Sequence, residues 1–248
     1  MSQKGDAKLH FLRFEFKYVL PQQQRAEIEA ELRHFVELDP YVADQPGQQY
    51  FVRSLYFDDP TLSSFHEKQD GQHTRSKFRI RTYARTVDSD TPWFLEIKGR
   101  YNNLVFKHRA PIRPPFDRRL RGDALVAMIL QRCAPGPVRD QFAYERFRKQ
   151  IAPVALIDYL RRPYVSKFDP EFRLTFDCEL AASESDAMFP PHPRLRQLLP
   201  GRTVMEVKFR HHVPSWFHRI IQAWELRRRS ISKICTGIEA LGLQLDPS

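Results

Sequence analysis

The stretch Lys77-Phe78-Arg79-Ile80-Arg81-Thr82 alternates basic side chains with uncharged ones at every position. Because successive side chains of a β-strand point to opposite faces, this alternation predicts a strand with one apolar face and one cationic face. The outer face of an ordinary half-buried strand carries mixed polar residues, whereas this face carries three bases. The stretch therefore predicts a sheet in which one face is built from charge.

The same alternation recurs along the chain and concentrates its net charge of +10 on strand faces. The ionic faces carry thirteen basic residues: Arg13, Lys17, Lys77, Arg79, Arg81, Lys98, Arg100, Lys107, Arg109, Arg161, Arg173, Lys208 and Arg210. They carry four acidic residues: Glu15, Glu96, Asp177 and Glu206. The rest of the chain is nearly neutral, with 27 basic and 26 acidic residues. Solvated strand faces remain the alternative for any single segment, but the repetition of one sign favours a surface that binds a polyanion.

Length and composition limit the possible classes of protein. At 248 residues, one domain is expected over residues 9–248, after a flexible tail at residues 1–8. Cys133, Cys178 and Cys235 lack metal-binding or redox spacing and indicate buried thiols in a reducing, cytoplasmic setting. Neither a signal peptide nor a membrane-spanning run is visible. From charge alone, nucleic acid, an anionic membrane and a phosphorylated substrate are the candidate partners of such a basic protein.

Strand and helix patterns predict an α+β protein. The predicted strands are Leu9 to Leu20, Tyr50 to Asp58, Lys77 to Thr86, Trp93 to Arg100, Leu104 to Pro111, Val154 to Val165, Arg173 to Leu180 and Thr203 to Arg210. The predicted helices are Pro21 to Leu38, a short one before Gln69, Asp123 to Arg132, Pro214 to Arg229 and Ser232 to Leu243. Ala181 to Gly201 is expected to be a loop. Eight mostly antiparallel strands favour a closed β-barrel with helices packed outside and a charged interior.

The order of these segments resembles the triphosphate tunnel metalloenzyme superfamily, and within it the polyphosphate polymerase domain of the vacuolar transporter chaperone (VTC) family in its bacterial form. The resemblance is carried by RFEFKY at 13–18, SLYFD at 54–58, KFRIRTY at 77–83, LEIKGR at 95–100, FKHR at 106–109, YLRRPY at 159–164, RLTFD at 173–177, MEVKF at 205–209 and SISK at 230–233. It implies a tunnel of antiparallel strands that binds ATP and inorganic polyphosphate with a divalent metal, Mn²⁺ or Mg²⁺.

The resemblance also implies roles for single residues. The catalytic residues would be Lys17, Arg79, Arg81, Lys98, Arg161 and Lys233. Phosphate would be bound by Lys107, Arg109, Arg173, Lys208, Ser232 and Arg100, with Ser230 as a second candidate beside Ser232. Glu206 would carry the metal, and Glu15 and Glu96 are further possible ligands. Arginine suits such a bore because its planar fork binds two phosphate oxygens at once.

Arg13 favours one reaction over another. Hydrolases and cyclases of this superfamily usually begin their first strand with two glutamates and a lysine, whereas this chain has Arg13, Glu15 and Lys17. One carboxylate fewer favours transfer of the ATP terminal phosphoryl to polyphosphate over attack by water. A metal-dependent tripolyphosphatase and a non-catalytic polyphosphate-binding module remain alternatives. Nucleic acid is not expected, because the aromatic residues of the strands alternate away from the basic face. A membrane-protein partner for polyphosphate would not be visible in the sequence.

Overall fold

The computed structural model describes residues 14–87, 92–102 and 104–244, with only the backbone of Leu104. Arg13, the predicted tail and residues 88–91 lie outside these ranges. The strands are β1 (Phe14–Pro21), β2 (Val36–Leu38), β3 (Tyr50–Asp58), β4 (Thr74–Thr82), β5 (Trp93–Tyr101), β6 (Leu104–Ile112), β7 (Ala152–Ser166), β8 (Arg173–Glu184), β9 (Arg196–Gln197) and β10 (Arg202–Phe209). The helices are α1 (Gln22–Leu32), α2 (Pro40–Ala43), α3 (Ser63–Gln69), α4 (Gly122–Arg132), α5 (Pro137–Lys149), α6 (Ser215–Ala223) and α7 (Lys233–Leu241).

Eight of the strands form one antiparallel path in the order β1-β10-β8-β7-β3-β4-β5-β6. The register aligns the predicted ionic rows, since Glu96 of β5 lies opposite both Arg79 of β4 and Arg109 of β6. Lys17 of β1 lies opposite Glu206 of β10 in the same way. Residues directly opposite each other share one face of a sheet. The ionic residues therefore occupy one common surface, which we call the inner face.

The apolar residues of the same strands form two hydrophobic cores on the outer face. One core packs Phe78, Ile80 and Leu95 against α4 and α5, with Phe142 of α5 fully buried. The other packs strands β1, β8 and β10 against α1 and α6. Complete burial of one such side chain is worth about 1.5–3 kcal/mol. The predicted inversion, with the large apolar residues under helices and the ionic residues within, is what these strands show.

A third core lies on the inner face, beneath α7, so the expectation that the helices pack outside the sheet is wrong for this helix. Ile234 and Ile238 of this helix pack against the apolar inner rows of β3, β7 and β8, which include Ile157 and Ala182. Gly237 permits the close approach, because a Cβ there would lie 2.6 Å from Cδ1 of Ile157. The ionic surface is thus confined to part of the inner face, since α7 fills the rest.

Closure of the barrel by hydrogen bonds is not confirmed. β1 and β6 stand at the two ends of the strand order, and no ladder joins them in the described ranges. The free edge of β1 is taken instead by the chain that follows α6, where the Arg229 N–H donates to the carbonyl of Lys17 at 2.8 Å. An ion pair of 3.1 Å between Lys98 of β5 and Glu15 of β1 bridges the two sides.

Two predicted helices are shorter than expected. The first ends at Leu32, because β2 pairs with the end of β7 that extends beyond β3. The helix predicted from Pro214 to Arg229 ends at Ala223. The Trp224 indole donates to Glu31 at 2.8 Å, and the next residue takes a positive φ of 47°. The three arginines at 227–229 are therefore not a helix terminus.

The middle of the chain contains a helix that the sequence pattern did not predict. α5 begins at Pro137, a favoured first helical residue, after Gly136 at a φ of 145°. The predicted loop from Ala181 to Gly201 is also partly ordered as strand, since β8 continues to Glu184 and pairs there with β9. Within the described residues, no helix combines the length and apolarity that a bilayer span requires.

Candidate active site in a cationic cavity

The inner face surrounds a cavity of about 900 Å³ whose lining is mostly basic. Two of its lining residues, Glu15 and Glu206, are acidic, and fourteen are basic. The basic ones are Lys17, Lys68, Arg75, Lys77, Arg79, Arg81, Lys98, Arg100, Lys107, Arg161, Lys208, Arg228, Arg229 and Lys233. Such a concentration of one sign in a partly enclosed space attracts anions strongly.

Glu96 organises the arginines and lysines of β4, β5 and β6. Its carboxylate is fully buried and pairs with Arg79 at 2.7 Å, Lys107 at 2.8 Å and Arg109 at 2.5 Å. Arg81 lies at 3.8 Å from the same carboxylate. Burial acts to raise the pKa of Glu96, but Arg79, Arg81 and Lys107 outweigh it and hold the pKa far below its ordinary range. Glu96 thus stays charged and fixes the groups around it.

The cavity has two ionic walls. The bases around Glu96 form the first, and the bases that contact Asp177 and Glu206 form the second, opposite wall. The Nε and Nη2 groups of Arg161 each donate a hydrogen bond of 2.6 Å to Asp177. Nη2 donates a further hydrogen bond of 3.0 Å to Glu206. Lys233 at the start of α7 pairs with both carboxylates at 2.6 Å. Burial acts to raise the pKa of Glu206, but Lys233, Lys17 and Arg161 hold it well below the ordinary value.

Glu15 and Lys17 connect β1 to both walls. Lys17 Nζ lies 3.1 Å from Glu15 and 3.6 Å from Glu206. Burial acts to lower the pKa of Lys17, yet Glu15 and Glu206 outweigh it and raise the pKa. Burial would likewise raise the pKa of Glu15, but Lys98 and Lys17 lower it. The two acidic residues of the lining are therefore charged and in contact with cations.

Two lysines of the lining have pKa values near neutral pH. Burial lowers the pKa of Lys107 to about 7, against the opposing charge of Glu96. Burial lowers the pKa of Lys208 to about 8, against the opposing charge of Glu206. Both should take up protons more readily when an anion enters, because a negative neighbour favours the charged form.

One end of the cavity has bases without acidic partners. Lys68, Arg75, Lys77 and Arg100 form no ion pair with any carboxylate in the described ranges. Burial lowers the pKa of Lys68. The buried Nε atom of Arg100 has no hydrogen-bond partner among the residues that the structure describes. These positive charges repel one another, and a bound anion would relieve the repulsion.

The N-terminus of α7 adds further donors. Ser232, the residue before the helix, lines the cavity, and its side chain makes no capping hydrogen bond. Lys233 follows as the first helical residue. Unpaired N–H groups and the helix dipole favour anions at this position. The helix therefore brings a positive end to the ionic part of the inner face.

The structure brings together most of the residues that the sequence singled out. The predicted site residues that line the cavity are Lys17, Arg79, Arg81, Lys98, Arg161, Lys233, Lys107, Lys208, Ser232, Arg100, Glu206 and Glu15. Glu96 lies behind the lining as an anchor, and Arg109 lies beside Glu96. Arg173 is exposed and does not line the cavity.

Several lining residues carried no assigned role in the sequence. Arg75 continues the alternating row of β4 by one step and was identifiable from that pattern. Lys68 lies on α3, and nothing in the local sequence distinguishes it. Tyr56 and Tyr159 line the cavity as well, and Arg79 donates to the Tyr56 hydroxyl at 2.7 Å. The expectation that aromatics alternate away from the basic face is therefore wrong for these positions.

The carboxylates fit a metal ion that is shared with phosphate and not one held by protein alone. No group of three or more His, Cys, Asp or Glu residues in the described ranges is arranged to hold a metal. Glu15 and Glu206 nevertheless lie beside the same lysine ammonium. Mg²⁺ is commonly held by one or two carboxylates together with substrate phosphates and water. This pair suits such an ion.

The chain matches one family model and is similar to several solved structures. The family model described as the VTC domain matches residues 12–242. A candidate adenylate cyclase from Bacillus halodurans is 12% identical with a TM-score of 0.53, over 90% of this chain and 94% of that one. A Pyrococcus horikoshii protein is 13% identical with a TM-score of 0.49, over 92% and 98%. The triphosphatase of the mimivirus capping enzyme is 7% identical with a TM-score of 0.32, over 86% and 89%. No curated protein matches.

Proposed function

Because the chain belongs to the VTC domain family, we propose that it is a polyphosphate polymerase. In this proposal the terminal phosphoryl group of ATP is transferred to the end of an inorganic polyphosphate chain inside the cavity. The observation that carries the proposal is the lining itself, with fourteen bases and two acids around about 900 Å³. A polyphosphate chain is a flexible polyanion without other recognisable groups, so a dense set of cations is what would bind it.

The geometry supports phosphoryl transfer through positioning and charge. Transfer between two phosphates brings two polyanions together, and the protein must align them and neutralise their charge. Arg79 and Arg161 are held in fixed orientations by Glu96 and Asp177. Donors that are fixed before the reaction need no reorganisation during it, and the loss of one positioned donor costs about 10²–10³ in rate.

The state of the acidic groups favours phosphate over water as the acceptor. All four carboxylates of the two ionic walls, Glu15, Glu96, Asp177 and Glu206, have lowered pKa values. A carboxylate of low pKa is a weak general base for activating water. The terminal oxygen of polyphosphate is already anionic near neutral pH, so its attack requires no such base.

The metal belongs to the substrate in this proposal. ATP would enter with Mn²⁺ or Mg²⁺, which neutralises phosphoryl oxygens and polarises the reacting phosphorus as a Lewis acid. Glu206 and Glu15 would contact the ion. Lys17 and Lys208 make the long contacts to Glu206, at 3.6 and 3.8 Å, and these are the contacts that an ion would replace most easily.

Product analysis tests the proposal. The purified protein is incubated with ATP and either metal, and the products are separated on a gel that resolves polyphosphate, with orthophosphate measured in parallel. Long chains with ADP are expected. Orthophosphate without chains would instead indicate a triphosphatase, and the absence of both products would favour a non-catalytic polyphosphate-binding module.

A matched pair of variants assigns the activity to the cavity. Arg79→Ala should reduce chain synthesis about 10²–10³-fold, because it removes one positioned donor. Arg118→Ala removes an exposed arginine outside this cavity and should leave synthesis unchanged. Equal activity of both variants would contradict the proposed site.

A further inference from the structure

Four aromatic side chains form a continuous cluster at one end of the sheet, which we call the aromatic rim: Tyr41, Tyr50, Tyr83 and Phe94. Successive rings meet edge to face, with centroid distances of 5.5 Å for Tyr41–Tyr50, 5.6 Å for Tyr50–Tyr83 and 6.3 Å for Tyr83–Phe94. Tyr41 is 60% exposed, and the other three are half-buried. The rim therefore presents aromatic surface to water.

The register places the rim directly beside the cationic lining. Tyr50 lies opposite Arg161 in the β3–β7 ladder, and Phe94 lies opposite Arg81 in the β4–β5 ladder. Opposite residues share a face, so both rings lie on the inner face next to these arginines. Tyr83 follows Arg81 by two positions and continues the same row. A molecule that reaches from the rim into the cavity would pass these arginines first.

Arg109 joins the rim to the phosphate-binding groups. Its guanidinium lies 4.3 Å from the centre of the Phe94 ring and donates to the Tyr83 hydroxyl at 2.7 Å. The same side chain pairs with Glu96, which also holds Lys107 of the lining. Arg109 thus presents a flat cationic surface between the aromatic rings and the cavity.

We propose that the aromatic rim binds the base of a nucleoside triphosphate whose phosphate tail lies in the cavity. This inference rests on the proposed function and specifies its donor substrate. Nucleobases stack on aromatic rings and on arginine planes, and such stacking tolerates different bases. Inorganic polyphosphate has no group that would use this surface. The rim therefore makes the protein prefer nucleoside triphosphates over inorganic triphosphate and leaves the acceptor chain unaffected.

Binding measurements test the rim. Calorimetric titration with Mg²⁺-ATP and with tripolyphosphate is carried out on the wild type, Tyr41→Ala and Phe94→Leu. Phe147→Ala is the control, because Phe147 is 88% exposed on α5, on the outer side of the sheet. Both rim variants should weaken ATP binding about tenfold, on the scale of one lost base–aromatic stack. Tripolyphosphate should bind within twofold of the wild type, which also shows that the variants fold.

The outcomes separate this inference from the proposed function. Unchanged ATP affinity in the rim variants, or equal weakening for ATP and tripolyphosphate, would overturn the base site even if the wild type makes polyphosphate. A selective loss of ATP affinity supports the base site even if the wild type releases only orthophosphate. Equal affinity of the wild-type protein for ATP and tripolyphosphate would also overturn it.

Discussion

Two buried carboxylates, Glu96 and Asp177, determine where the guanidinium groups of the cavity point. Alternation in the sequence was enough to predict that Arg79 belongs to an ionic face, and Arg161 was counted with that face from a further strand. It did not show which acid would hold which base, because cross-strand partners depend on register. Asp177 was recognised as part of an ionic face and received no role. Its contacts with Arg161 and Lys233 now identify it as a positioning residue.

Asp177→Asn should reduce both stability and catalysis. Burial acts to raise the pKa of Asp177, but Arg161 and Lys233 lower it, so the native group is charged. Removing one partner from a buried ion pair costs about 3 kcal/mol of unfolding free energy. The kcat should fall more than the KM rises, since Arg161 would keep its charge and lose its orientation. Denaturant unfolding and steady-state kinetics measure both effects.

Glu179→Gln is the control for this change, because Glu179 lies on the same strand and is exposed. It should match the wild type in both measurements. If Asp177→Asn also matched the wild type, the assigned positioning role would be wrong.

Lys107 should make anion binding depend on pH near neutrality. Its pKa of about 7 lies below that of a free lysine, so the free site loses this charge as pH rises through about 7. A bound polyanion favours the protonated form, and the affinity contributed by Lys107 therefore falls above pH 7. Lys107→Arg keeps its charge throughout this range. The ratio of tripolyphosphate affinities, variant over wild type, should rise between pH 6 and 9.

Comparing the two proteins at each pH removes the effect of the ligand's own titration. A ratio that stays constant across this range would show that Lys107 does not change its charge at the binding site. Lys208→Arg should give the same trend at higher pH, because the pKa of Lys208 is about 8.

At the scale of secondary structure, α7 is the element whose position the sequence did not reveal. Its apolar residues predicted a helix, but a helical pattern does not specify which surface will cover it. The inner rows of β3, β7 and β8 are apolar where those of β4 and β5 are charged, and this difference places α7. α5 escaped prediction for a related reason, since its sequence PVRDQFAYERFRK leaves only Val138 and Phe142 buried.

Gly237 should tolerate a larger residue only when its neighbour becomes smaller. Gly237→Ala would place a methyl group 2.6 Å from Cδ1 of Ile157 and force that side chain to move. Overpacking typically costs about 1–3 kcal/mol, whereas alanine in a helix gains about 1 kcal/mol over glycine. In an Ile157→Val background the clashing atom is absent, so Gly237→Ala should then stabilise the protein.

Chemical denaturation of the four proteins in this cycle gives the coupling energy directly. The same sign and size of effect in both backgrounds would contradict the contact between α7 and β7. Chain synthesis provides a second readout, because displacement of α7 would also move Lys233.

At the scale of the whole molecule, the charge distribution was readable from the sequence and the closure of the sheet was not. The ionic rows were enough to predict the inner face and most of the residues that line the cavity, because alternation and strand order can be read without atomic detail. Closure depends on how far β1 and β6 stand apart. The backbone carbonyl of Lys17, in the edge strand β1, accepts a hydrogen bond from the backbone N–H of Arg229 in the segment after α6. No pattern in that segment predicted this contact. The residues between Ala223 and Arg229, which were predicted to be helical, belong to this segment that covers the edge of β1.

The most direct test follows the terminal phosphoryl group of ATP in water enriched in ¹⁸O, with ³¹P NMR detecting solvent oxygen in the products. The protein is supplied with ATP, metal and a short polyphosphate primer. If the cavity transfers phosphoryl groups to phosphate, ADP will be matched by lengthened chains whose new phosphates carry no solvent oxygen. If ADP is instead matched by orthophosphate carrying one solvent oxygen, water is the acceptor, and the assignment as a polymerase is wrong.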